Sequence, residues 1–344
     1  MKESFLSRWY MVSIISVITI AALILGKQLL IPLTLGLFLS LGMSPIVQRL
    51  RKWGVHKVLS IFITFFLGII VVTGITYTIG FAVNNFIGNI PNYSTAVAEN
   101  ITTTKSSLMT KLSLTETELA SMINQYTTIP SWGISIASKI VTTTTNIIAT
   151  IGLSLVMTFF LLLYRDRVKK FFEMVADKNR QEEIQTIAQK SFRILPRYIL
   201  GLLLVIAIMT VLNTTGFWLI GVPSPLFWGL IVSILNVIPY VGTIIGFGAV
   251  TIFALVVSGP ITALFTIIMF LIIQFVDNNF LTPRITGGQI AINSLAAILS
   301  IIIWGMIWGV IGMVIALPIL GLIKIICDTI PGLQPIGYLL GDKE

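Results

Sequence analysis

Charge is what this chain of 344 residues has least of. Asp, Glu, Lys and Arg together make up 10% of it, against roughly 25% in an ordinary globular domain. With 56% hydrophobic residues and a mean hydropathy of +0.99, there is more apolar surface than a soluble core can bury. Cysteine is confined to Cys327, which excludes an intrachain disulfide and a cysteine-based metal site. Histidine is confined to His56, in the basic run Arg49-Leu-Arg51-Lys52-Trp-Gly-Val-His56-Lys57, and reads as a solvated loop residue. A Gly-x-Ser-x-Gly elbow, a P-loop and a nucleotide-binding domain are all missing. Enzyme chemistry therefore finds no support, no metal or other cofactor is implied, and an ATP-driven pump is excluded. Any transport is passive or driven by an ion gradient.

What the chain does have is a succession of apolar runs of about twenty residues, each long enough to cross a bilayer. The short segments of alternating polarity that a membrane β-barrel needs are absent. The expected fold is all-α, a polytopic transmembrane helical bundle of about eight spans. The net charge of +9 invites a nucleic-acid reading. That reading is rejected, because the basic residues cluster beside the spans, where they set topology.

The chain divides into four segments. Residues 1–83 form a unit of three spans, at about 10–26, 28–47 and 58–83. Residues 84–145 are a polar, Thr-, Ser- and Asn-rich segment, with a capping box at Ser113 and Glu116 opening a short helix. Residues 146–197 hold a fourth span and a basic amphipathic stretch that begins Arg165-Asp-Arg167-Val-Lys169-Lys170. This stretch reads as an interfacial elbow helix under the headgroups, with a regulatory docking helix as the alternative. Residues 198–344 hold the remaining spans. An apolar run from Tyr10 to Gly26 resembles a signal peptide, but no small-x-small site follows it, so it reads as an uncleaved first span. Lys- and Arg-rich short loops place both termini in the cytoplasm and 84–145 outside. Membrane lipid is thus one partner.

The C-terminal segment departs from ordinary spans. The run from Leu226 to Val257 is interrupted at Asn236-Val-Ile-Pro239-Tyr240-Val-Gly242-Thr243, and the run from Ala291 to Ile326 at Trp304-Gly305-Met-Ile-Trp308-Gly309-Val-Ile-Gly312 and at Pro318. Proline and glycine break or kink helices. Irregular backbone survives at membrane depth only where it is packed in protein or lines a cavity. Both runs are either re-entrant hairpins or kinked spans.

Between Arg197 and Lys324 only Asp277 and Arg284 are charged, together in the loop Gln274-Phe-Val-Asp277-Asn278-Asn279-Phe-Leu-Thr-Pro283-Arg284. An ionisable group inside membrane-soluble sequence is a functional candidate. Asp277 can bind a cation or relay a proton, and Arg284 can serve as its counter-charge or hold an anionic substrate. The competing view is that Asp277 caps a helix end and Arg284 snorkels to water. Asn236, Pro239, Tyr240 and Gly242 form a second cluster, whose unwound backbone can face a ligand or can simply shape packing. The glycines at 305, 309 and 312 read as close helix packing. Trp304 and Trp308 read as interfacial anchors or pathway lining. Candidate pathway residues are Asn236, Pro239, Tyr240, Gly242, Gln274, Asp277, Asn278, Asn279, Pro283 and Arg284.

Four motifs occur in order: Gly221-Val-Pro-Ser-Pro-Leu-Phe-Trp-Gly229, Ile234-Leu-Asn-Val-Ile-Pro239-Tyr240-Val-Gly242, Asp277-Asn278-Asn279-Phe-Leu-Thr-Pro283-Arg284-Ile-Thr-Gly287-Gly288 and Gly309-Val-Ile-Gly312-Met-Val-Ile-Ala-Leu-Pro318. In combination they resemble the autoinducer-2 exporter family of bacterial permeases, over nearly the whole chain. The resemblance implies a bacterial cytoplasmic-membrane protein that works without ATP hydrolysis on a small-molecule substrate. It also implies a homo-oligomer, with a pentamer among the states open to it. It does not fix the substrate, since some relatives export the quorum-sensing signal autoinducer-2 and others are linked to sodium/proton exchange. The expected function is export of a small polar molecule, autoinducer-2 by resemblance. A sodium or lithium/proton antiporter and a non-transporting membrane scaffold are the alternatives.

Overall fold

The computed structural model describes residues 5–97, 99–100, 150–175, 181–238, 241–286 and 292–342. The capping box at Ser113 and Glu116 lies outside them, as do Pro239 and Tyr240. Among the described residues the protein is all-α, with no strand and a single isolated bridge between Ile292 and Gly341. The helices are α1 (Phe5–Leu25), α2 (Lys27–Lys52), α3 (Lys57–Gly88), α4 (Thr150–Leu163), α5 (Arg165–Val175), α6 (Gln181–Ile220), α7 (Pro225–Leu235), α8 (Val241–Ser258), α9 (Pro260–Val276), α10 (Thr282–Thr286), α11 (Ser294–Thr329) and α12 (Gln334–Leu340). A π-helical turn, Asp277–Leu281, joins α9 to α10. Of the described helices, α2, α3, α6, α9 with its π turn, and α11 are long and apolar enough to cross a membrane.

One expectation changes at the basic stretch 165–197, read from the sequence as a separate elbow. Only α5 stands alone there. From Gln181 the chain enters a 40-residue helix that carries the rest of the stretch directly into the fifth span. The apolar face set by Ile184, Ile187 and Ile194 continues into buried Leu195, and Pro196 is absorbed inside the helix. Glu182 and Glu183 in the first turn favour a helix start at this point.

The chain forms two compact units. The first comprises residues 1–69, 148–200 and 288–344. Its core gathers Phe38, Leu41, Leu195, Trp308 and Ile315, and the Trp308 indole donates to the Leu23 carbonyl at 2.9 Å. Lys57 pairs with Asp166 at 2.5 Å, tying the start of α3 to α5. The Arg165 guanidinium sits 4.4 Å over the Phe192 ring. Helix α11 is not one straight rod. Ser300 Oγ donates to the Ala316 carbonyl at 3.2 Å, although the two are 16 residues apart. A straight helix would separate them by about 24 Å. The chain folds back at Gly309, whose φ of 65° and ψ of −144° suit only glycine. The long C-terminal run is therefore a helical hairpin, and Gly305 and Gly312 pack between its arms.

The second unit comprises residues 70–147 and 201–287. Its core is aromatic, with Phe217, Phe227, Trp228, Phe247 and Phe253 all buried and Phe86 stacked on Phe227 at 4.1 Å. Helices α8 and α9 form an antiparallel pair around Gly259, which holds a φ of 94°. Helices α7 and α8 form a second hairpin. A Cβ on Gly242 would lie 1.7 Å from the Leu235 carbonyl oxygen, and one on Gly246 would lie 3.3 Å from Val232 Cα. The first arm has 11 residues, about 16 Å, and cannot cross a 30 Å core. Both interrupted runs are thus hairpins, and the first of them carries Asn236 at its tip.

Candidate functional site

Two chain reversals bring the site together. The α7 arm ends at Asn236, and α8 starts back from Val241. Helix α9 runs antiparallel to α8, so its C-terminal end returns to the level of that tip. There Asn236 Nδ2 donates to Asp277 Oδ2 at 2.9 Å, across 41 residues of chain. Thr282 Oγ1 donates to the other carboxylate oxygen at 2.8 Å. Thr243 Oγ1 donates to Asn236 Oδ1 at 2.7 Å, which turns the amide so that its nitrogen faces the carboxylate. Asp277 is only 4% exposed.

The π turn makes this arrangement possible. Its Thr282 backbone N–H bonds to the Asp277 carbonyl, five residues back instead of four. That wider register carries the Thr282 hydroxyl beneath the Asp277 side chain. Of the roles open to Arg284, that of counter-charge to Asp277 is not seen: among the described residues no ion pair joins them. Arg284 is exposed, with its guanidinium 5.8 Å from the Phe280 ring centroid. A buried carboxylate ringed by neutral donors in apolar surroundings is a group able to grip a cation or a polar solute.

Of the other candidates, Gly242 is buried at the close approach of α7 and α8. Gln274 Nε2 donates to Asn278 Oδ1 at 2.9 Å, and Asn279 Nδ2 donates to the Phe275 carbonyl at 2.8 Å. Both asparagines are exposed and lie away from the carboxylate network. The Pro283 backbone falls in α10. Sequence reading overlooked Thr243 and Thr282. Threonine in apolar helices ordinarily returns its hydroxyl to the carbonyl four residues back, as Thr210 does to Ile206, so neither residue stands out by type.

A family model for the AI-2E family transporter matches residues 13–332. The chain belongs to the AI-2E transporter family. It is 26% identical over 331 residues to the AI-2 transport protein TqsA of Escherichia coli (strain K12), covering 95% of this chain and 93% of that one. It is 24% identical over 332 residues to the putative transport protein YhhT of the same organism, covering 94% and 91%. A shorter stretch of 128 residues is 34% identical to the putative transport protein YrrI of Bacillus subtilis (strain 168), covering 37% and 36%. As a member of the AI-2E family this chain is a multi-pass membrane transporter, and each of these relatives is named for transport.

Proposed function

We propose that this protein is a permease of the bacterial cytoplasmic membrane that exports a small polar signalling molecule, autoinducer-2, without ATP hydrolysis or any catalytic step. The observation that carries the reading is the buried Asp277 carboxylate, held by half-buried Asn236 and exposed Thr282 at a hairpin tip in a largely apolar unit. Broken helices that present polar groups in apolar surroundings are how secondary transporters build a substrate site. The name of the TqsA relative supports autoinducer-2 as the solute. Among the described residues, Asn236 and Gly242 would border the pathway on one side and Gln274, Asp277, Asn278, Asn279 and Arg284 on the other. Both termini face the cytoplasm, and the working form is a homo-oligomer.

A second reading, a sodium or lithium/proton antiporter, draws on a different feature of the same site: Asp277 is buried and has no cationic partner among the described residues. Purified protein in proteoliposomes separates the two. Labelled autoinducer-2 and internal pH are followed together, with and without a sodium gradient. Autoinducer-2 flux above empty liposomes, with no sodium-dependent pH change, is the expected result. A sodium-dependent pH change without solute flux would move the protein to the antiporter reading. Asp277→Asn then serves as the second arm, because an antiporter loses function while an exporter of a neutral solute keeps substantial flux.

A further inference from the structure

A second polar cluster lies deeper in the same unit, on residues that the sequence does not mark. Asn213, on α6, is completely buried, at 0% exposure. Its Nδ2 donates to Ser233 Oγ on α7 at 3.1 Å. Ser233 spends its own hydrogen on the Gly229 carbonyl at 2.7 Å. The serine can therefore only accept from Asn213, and this fixes the amide with its oxygen pointing the other way. That Asn213 Oδ1 is buried and has no partner.

The next residue adds a second such atom. Thr214 Oγ1 is also buried and unpartnered. Thr210, one turn earlier on α6, and Thr266, on α9, return their hydroxyls to the carbonyl four residues back at 2.8 Å, and Thr214 does not. Its hydroxyl instead turns to α7 at Gly229, where a Cβ would come within 2.1 Å of Thr214 Oγ1. Glycine is required at that crossing, where any side chain would meet the Thr214 hydroxyl and backbone.

Buried polar atoms without partners are rare, and each costs free energy in apolar surroundings. Two from consecutive residues, one an acceptor and the other a donor or acceptor, are the complement of a hydroxyl group. The hydroxyl donates to Asn213 Oδ1 and accepts from Thr214. In this unit the described charged side chains are Glu99, Asp277 and Arg284, and none of them belongs to the cluster. Ser233 lies three residues before Asn236, about 4.5 Å along the helix. The cluster thus continues inward from the Asp277 network.

We infer that Asn213 and Thr214, backed by Ser233, form a recognition subsite for a hydroxyl group of a small uncharged solute. The inference rests on the transport reading above and names the solute class that the pathway selects.

Thr214→Val and Asn213→Leu, close to the originals in size, test this in proteoliposomes of the full chain. Labelled autoinducer-2 is the first probe and labelled erythritol the second, with thermal unfolding measured alongside. Thr214→Val removes only an unpartnered hydroxyl, so it folds even if Asn213→Leu does not. The expected result is a loss of flux of about tenfold in Thr214→Val, the size of one missing hydrogen bond, with an unchanged or raised melting temperature. Wild-type flux retained by a folded Thr214→Val overturns the subsite while leaving the exporter reading intact. If wild type moves no autoinducer-2, the substrate assignment fails on its own, and erythritol decides. Erythritol flux that falls in Thr214→Val upholds the subsite, and no flux of either solute overturns it.

Discussion

At the residue scale, the Asp277 network is a set of obligations that depend on one another. An ionised carboxylate accepts from Asn236 and Thr282, and Thr243 holds Asn236 in the orientation that lets it donate. Asn236→Leu removes one of the two donors to the carboxylate and should destabilise the protein by about 1–3 kcal/mol in thermal or denaturant unfolding. In an Asp277→Asn background the same change should cost less, because no buried charge is left short of a donor. The double-mutant cycle should therefore show coupling of about 0.5–3 kcal/mol. Strictly additive losses would mean that the two side chains do not depend on each other. Asn236 and Asp277 were legible in the sequence, one beside a Pro/Gly break and the other as a rare charge. Thr243 and Thr282 were not, because their roles depend on a hairpin closure and a π register that leave no compositional trace.

At the element scale, the hairpins hang on a few backbone positions. Gly309 turns α11 back on itself at a φ of 65° and ψ of −144°, a region costly for any side chain. Gly309→Ala should therefore lower stability by about 1–3 kcal/mol, read as a shift in the melting temperature of the purified protein. An unchanged melting temperature would mean that the turn forms elsewhere. The Gly- and Pro-interrupted runs were visible from sequence, but the choice between kink and hairpin was not. It rests on contacts such as Ser300 with Ala316, which span 16 residues. A second element contact has a pH signature. The hydrogen bond from Lys57 holds the Asp166 carboxyl below its usual range, with the charges of Lys57, Arg165 and Arg51 acting in the same direction. A depressed carboxylate stabilises the fold above its ordinary value of 3.8, and that contribution is lost as pH falls through the lower folded value. Asp166 is 70% exposed, so solvent screening keeps the pair to about 0.2–1 kcal/mol. The stability gap between wild type and Asp166→Asn should be constant from about pH 5 to 8 and close below about pH 4. A gap that widens on acidification would assign the pair the wrong sign.

At the scale of the whole molecule, apolar surface and charge together dictate placement. Exposed Ile, Leu, Val and Phe line α1, α3, α6, α9 and α11, as lipid-facing helices require. The basic residues collect at the end of α2 and along α5, with Arg49, Arg51 and Lys52 on the first and Arg165, Arg167, Lys169 and Lys170 on the second. On the proposed orientation both segments would lie on the cytoplasmic side and the stretch 90–97 after α3 on the other, which is the expectation to test. The chain offers a clean way to check this, because its one cysteine, Cys327, is 5% exposed and should resist labelling. Lys170→Cys and Thr95→Cys introduce exposed thiols on α5 and beyond α3. In intact cells a membrane-impermeant maleimide should label Thr95→Cys and spare Lys170→Cys. Permeabilised cells should label both. The direction of transport hangs on the result. Export requires the solute to enter from the face that carries Lys170. Labelling of Lys170→Cys in intact cells would invert the molecule, and with it the assignment of which end of the Asp277 pathway receives the solute.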